Sequence, residues 1–303
     1  MTNQMVELEV TQEYLGQAKH VCHLPSQWSH YLNSELAVDG PRHNTSLAAV
    51  ISGTPLGSNK QGPNHQFAGT AGVSNLGEDP NWTGHEFAAA NTYGYGRLAW
   101  DPTLTAEEIT REWVEATWSP FDANASDTLV SLLLNSWEVY ENYTSPLGVG
   151  FICAGDHYNM DPPHRQQYTN ATSTHVGYNR DAYARTYNGR VASRYSRLAE
   201  TPDELLLCFH NVAYTHKLSA SHGNLDVLEY IYASHRAGAK AAHGYIQSWE
   251  SLRGRIDTST YGPQTFETLH QRLVFGAQEA QRFSEQIISY FANLTGVPPH
   301  TAL

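Results

Sequence analysis

Cysteine is scarce and unpatterned in this chain. Its 303 residues include three, Cys22, Cys153 and Cys208, with no Cys-x-x-Cys pair. An odd count at those spacings argues against a disulfide framework and a structural zinc site, although one disulfide stays open. Basic residues are also short: 18 Lys and Arg stand against 30 Asp and Glu, a net charge of −12. Phosphate backbones need a basic face, so this balance argues against a nucleic-acid partner. No apolar run approaches the ~20 residues of a membrane helix, and the mean hydropathy is −0.48. The opening MTNQMVELEV lacks the basic and apolar regions of a signal peptide. Other absences concern chemistry. There is no G-x-S-x-G, no H-E-x-x-H and no G-x-G-x-x-G, so no nucleophile elbow, zinc helix or phosphate loop is indicated. Nothing in the sequence calls for a metal or an organic cofactor.

Apolar and aromatic material is plentiful. Hydrophobic residues make up 40% of the chain and charged ones 16%, which allows a substantial core. Eighteen Tyr and seven Trp suit the flat C–H faces and hydroxyl rims of sugars, and suit cores equally well. Six Asn-x-Ser/Thr sequons, at Asn44, Asn81, Asn124, Asn142, Asn170 and Asn293, hint at a secreted ancestor.

Val6 to Val10 alternates apolar and polar residues, as a half-buried strand does, and residues 6–14 read as a strand. Pro25 to about Leu36 predicts a short helix. Residues 52–65, SGTPLGSNKQGPNH, predict a long loop. Phe67 to Val73 is short, small and apolar, as a fully buried strand is. Residues 87–100, FAAANTYGYGRLAW, predict a helix weakened by Gly94 and Gly96. Strand, helix, strand, helix is the βα pattern, but two units cannot close a sheet. After Asp101-Pro102 the chain turns helical. Thr105 caps a helix running to about Trp118, with Glu107 and Glu108 in its first turn. Further helices are expected over 126–143, from Thr201, and over 225–255 and 263–292, the last two as an antiparallel pair. Residues 147–200 read as irregular.

In parallel βα architectures, function gathers at the carboxyl ends of the strands. Glu13 stands at one such end. Glu78, Asp79 and Trp82 lie in the turn after the second. Carboxylates beside an aromatic suit a carbohydrate site, because glycoside hydrolysis uses one protonated and one ionised carboxyl across the scissile bond. Position alone leans the other way. Glu13 also reads as a turn-capping carboxylate, and Gly77-Glu78-Asp79-Pro80 is ordinary turn chemistry. His164 and Arg165, beside Pro162-Pro163, could hold a sugar acid if their loop reached a strand-end mouth; surface exposure is the default. His210, His216 and His222, six residues apart, are weak candidates for metal ligands.

Five stretches in this order are distinctive: TQEYLGQ (11–17), AGVSNLGEDPNWTGHEFAAANTYGYGRLAWDP (71–102), SPLGVGFICAGDHY (145–158), TPDELLLCFHNVAYTH (201–216) and WESLRGRID (249–257). Together they resemble the C-terminal part of family 67 glycoside hydrolases, the α-glucuronidases acting on xylan fragments. The resemblance runs from about residue 3 to 297. YTHKL (214–218) and Thr295-Gly296-Val297-Pro298 look more like fungal members than bacterial ones.

The resemblance implies a fold that is α/β plus α. Residues 1–102 would be the last two βα units of a (β/α)8 TIM barrel, and 103–303 a helical C-terminal domain. It implies a homodimer through that domain, an extracellular location and glucuronoxylan-derived oligosaccharides as substrate. It implies that Glu13, in TQEY, is one of two carboxylates that activate water opposite the leaving group, with inversion. Glu78, Asp79, Trp82, His164 and Arg165 are the candidate substrate contacts. The family's general acid lies on an earlier strand, and its second base-side carboxylate, an aspartate, lies just before the TNQ segment. The chain by itself is therefore expected to be an inactive fragment. The alternative is a non-catalytic helical dimerisation or carbohydrate-binding module.

Overall fold

The computed structural model describes residues 5–10, 20–34, 46–51, 69–74, 85–149, 171–178, 195 and 197–299. They are mostly helical and form two units, Met1–Trp137 with Tyr245–Val274, and Glu138–Gly244 with Phe275–Leu303.

The first unit contains the βα pattern. Strand β1 (Val6–Glu9) pairs with β2 (Thr70–Val73) in parallel, Val6 opposite Thr70 and Glu9 opposite Val73. Alternation in β1 is as expected: Leu8 and Val10 are buried, Glu7 and Glu9 exposed. The expected full burial of 67–73 is not found. β2 is only partly covered, and Val73 is 45% exposed. Among the described residues β1 is its one paired neighbour.

Helices α1 (Pro25–Leu32) and α2 (Leu47–Ile51) lie between the strands in sequence, and α3 (Ala89–Trp100) follows them. α1 ends four residues earlier than expected. A 3-10 turn, Glu86–Ala88, leads into α3. The glycines of α3 do not break it. A Cβ at Gly94 would run into Pro25 Cγ, so Gly94 is where α3 crosses α1. Tyr95 on the same helix covers Gly72 of β2 and donates its hydroxyl to the Thr70 carbonyl at 3.0 Å. The helix thus folds back on the strand that precedes it.

Helix α4 (Ala106–Trp118) begins with the expected capping box. Glu108 N–H donates to Thr105 Oγ1 at 3.2 Å, and Thr105 N–H donates to Glu108 Oε2 at 2.9 Å. Helices α5 (Ala123–Thr144), α7 (Val227–Glu250) and α8 (Thr265–Thr295) lie within a few residues of expectation. The first unit's core is aromatic. Trp118 contacts Phe87, Trp113, Trp249 and Tyr261 with ring centroids 5.6–6.0 Å apart. Trp249 stacks on Phe266 at 4.7 Å and donates its indole N–H to the Phe266 carbonyl. Edge and offset contacts of this kind add to the large apolar area each ring buries.

In the second unit the helix expected from Thr201 is replaced by a 3-10 turn, Asp203–Leu205, and one α turn, α6 (Leu206–Phe209). Leu205 (φ −110, ψ 1) and His210 (φ −127, ψ 138) leave helical geometry on either side. Burial of Leu206 and Leu207 anchors this short piece, and the chain then enters a strand. That strand, β4 (Val212–Ala213), pairs antiparallel with β3 (His175–Val176), inside a stretch that reads as irregular in sequence. Tyr214 meets Phe291, and Tyr143 meets Phe283, in edge contacts within this unit. No helix among the described residues is long and apolar enough to cross a membrane.

Candidate functional site

Parallel pairing fixes where the strand-end segments begin. Val10 N–H donates to the Val73 carbonyl at 2.7 Å, in register with the rest of the ladder. The carboxyl ends of β1 and β2 therefore share one edge. The chain leaves β1 into residues 11–19, which contain Glu13, and leaves β2 into 75–84, which contain Glu78, Asp79 and Trp82. All four side chains lie outside the described residues, as do His164 and Arg165. The two exits are side by side at the edge where a parallel βα fold carries its chemistry.

The chain rejoins the described residues at His20 and His85, both buried. His23 and Glu86 are buried in the first unit as well, and sequence reasoning singled out none of these four residues. His85 accepts the Phe87 N–H on Nδ1 at 3.2 Å, so its ring is neutral with the proton on Nε2. Burial, then the charge of Arg272 and the influence of His20, lower its pKa to about 3. Arg272 is paired with Glu86 at 3.1 Å. His23 is likewise held near 3 by burial. The Thr110 hydroxyl donates to the Ala106 carbonyl at 2.6 Å, so it accepts from His23 Nε2 at 2.7 Å. Asn91 bridges the same segment, accepting the Leu24 N–H and donating to the Cys22 carbonyl. These contacts brace the start of α1 and the 3-10 turn before α3. Neutral His23 and His85 cannot serve as cations for a sugar carboxylate, and Arg272 already has its carboxylate. The local signal was weak: His85-Glu86 before an apolar helical run, with a histidine where a Ser, Thr, Asp or Asn cap is usual, among sixteen histidines.

His210, His216 and His222 do not converge. His210 Nε2 meets Thr201 Oγ1 at 2.8 Å. His222 Nδ1 lies 3.1 Å from both Asp203 Oδ2 and Ser221 Oγ. A hydrolase triad puts the serine on one ring nitrogen and the orienting carboxylate on the other; here Ser221 and Asp203 share Nδ1, and Glu204 Oε1 lies 3.8 Å from Nε2, beyond hydrogen-bond reach. Among the described residues no group of three or more His, Cys, Asp or Glu could hold a metal ion.

Comparison with known proteins supplies what these side chains leave open. Residues 1–82 match the glycosyl hydrolase family 67 middle domain, and residues 83–302 match the glycosyl hydrolase family 67 C-terminus. The chain belongs to glycosyl hydrolase family 67. Its relatives within the family include alpha-glucuronidase A of Aspergillus tubingensis, 37% identical over 98% of this chain and 35% of that protein. A probable alpha-glucuronidase A of Aspergillus terreus is 35% identical over 98% of this chain and 34% of its own length. The chain spans about a third of the length of the curated relatives it matches. Within the family 67 frame, Glu13, Glu78, Asp79 and Trp82 fall in the middle-domain match, and His164 and Arg165 in the C-terminal match.

Proposed function

We propose that this chain forms the end of the catalytic barrel and the helical domain of an α-glucuronidase. The reaction is hydrolysis, with inversion, of the α-1,2 link between (4-O-methyl)glucuronic acid and xylose in xylo-oligosaccharides. In this reading residues 1–102 are the last two βα units of a (β/α)8 barrel, and 103–303 are the helical domain. The carrying observation is the match to both family 67 domains over nearly the whole chain, with relatives named α-glucuronidases. The shared carboxyl edge of β1 and β2 supports it, because TQEY follows directly from that edge.

Glu13 acts as a base-side carboxylate. It takes a proton from a water on the face opposite the xylose oxygen as that water attacks the anomeric carbon. The anomeric bond to xylose breaks, and its oxygen takes a proton from a general acid. Inversion requires the two carboxyl groups to stand far enough apart to admit the water. Glu78, Asp79 and Trp82 line the adjoining strand-end segment, and His164 and Arg165 contact the sugar acid. The protein works outside the cell on glucuronoxylan-derived oligosaccharides, as a homodimer joined through its helical domain.

The resemblance implies a general acid outside these 303 residues. General acid help is worth ~10²–10⁴-fold, so the purified chain alone should release no glucuronic acid from an aldouronic acid. A steady release above a heat-treated control would overturn that part of the reading.

A further inference from the structure

Three of the six sequons lie on described residues: Asn124-Ala125-Ser126, Asn142-Tyr143-Thr144 and Asn293-Leu294-Thr295. Their surroundings differ. Asn293 is exposed in the last turn of α8, just before the left-handed turn at Gly296 (φ +72), whose Cβ direction opens into empty space. Asn124 is exposed in the first turn of α5. Its Oδ1 accepts from Arg255 Nη2 at 3.0 Å. That carbonyl oxygen survives when the amide nitrogen is glycosylated, so the contact survives too.

Asn142 sits where α5 meets α7 within the second unit. Its Oδ1 accepts from the Ser234 hydroxyl at 2.7 Å, and Ser234 is 5% exposed. A Cβ added at Gly238 of α7 would lie 2.7 Å from Tyr143 N and 3.0 Å from Asn142 Cβ. The two helices touch there with no room for a methyl group. An N-linked glycan is bulky and belongs on a free surface.

We propose that Asn124 and Asn293 carry N-linked glycans and that Asn142 does not. This rests on the extracellular location given above, since the transfer occurs in the secretory lumen. In the transfer, the asparagine Nδ2 forms a bond to the anomeric carbon of an N-acetylglucosamine at the reducing end of a polyprenyl-pyrophosphate oligosaccharide. The bond from that carbon to the pyrophosphate oxygen breaks, the pyrophosphate leaves with its lipid, and Nδ2 loses one proton.

The test uses the protein purified from its native source. Enzymatic removal of N-glycans in heavy-oxygen water converts each glycosylated asparagine to a heavy aspartate, which peptide mass spectrometry reads. The expected result is label at Asn124 and Asn293 and none at Asn142. Label at Asn142, or its absence at Asn124 or Asn293 while other sequons are labelled, overturns the site assignment and leaves the location standing. No label at any of the six sequons overturns the location and this assignment together.

Discussion

Three buried histidines, His23, His85 and His235, have pKa values held down to about 3, chiefly by desolvation. The Nδ1 of His235 donates to the Tyr143 carbonyl at 2.8 Å, which satisfies one ring nitrogen without charging the ring. In the unfolded chain each histidine takes up a proton below about pH 6.5, which the folded state refuses until about pH 3. The unfolded state then binds more protons, so stability is lost as pH falls below about 6.5, by up to about 1.4 kcal/mol per pH unit for each histidine. Glu141 has the opposite sign. Burial, then the carboxylates of Glu138 and Glu204, raise its pKa from 4.5 to about 7. Its folded form keeps a proton that the unfolded form has lost, so stability falls as pH rises through that interval, by about 3 kcal/mol in all. Glu141→Gln should therefore raise the urea midpoint at about pH 8 and leave it nearly unchanged near pH 4.5. Equal shifts at the two pH values would contradict this. None of these roles was legible in the sequence. A buried histidine or glutamate looks the same on paper as one in water, because the burial that sets its charge comes mostly from distant segments.

Helices with a long apolar stripe were legible, because one buried face marks α4, α5, α7 and α8, and in α4 local capping agrees with it. Thr105 is the clearest case, since the cap and its Glu108 partner are three residues apart and depend on nothing else. Thr105→Ala should cost about 1 kcal/mol, seen as a lower urea midpoint with an unchanged slope. Short elements were not legible. The two-residue strands β3 and β4 and the single turn of α6 owe their form to tertiary neighbours. Val73 of β2 was expected to be buried because composition cannot count paired strands. Glycine is similarly ambiguous until packing is known. Gly238 and Gly244 both lie in α7, but only Gly238 presses on another helix; nothing lies within 4 Å of a Cβ at Gly244. Gly238→Ala should destabilise the protein by about 1–3 kcal/mol through overpacking. Gly244→Ala should stabilise it by up to about 1 kcal/mol through helix propensity. Thermal melts of the two variants should move in opposite directions, and a shared direction would contradict the packing assigned to Gly238.

Over the whole molecule, the match to both domains of family 67 sets the frame, and the 303 residues span about a third of the relatives' length. The TQEYLGQ motif and the 71–102 block were legible as family features without any coordinates. The proposed site residues Glu13, Glu78, Asp79, Trp82, His164 and Arg165 lie outside the described residues, so the structure contributes the shared edge from which the first four continue. In the proposed function Glu13 is a base-side carboxylate of an inverting α-glucuronidase. The most direct measurement grafts this chain onto the Aspergillus tubingensis alpha-glucuronidase A in place of that enzyme's matching third, and follows glucuronic acid release from an aldouronic acid. The account predicts turnover by the graft and a loss of about 10²–10⁴-fold on Glu13→Gln, with the fold unchanged by circular dichroism. A folded graft that is inactive, or one whose rate survives Glu13→Gln, would contradict it.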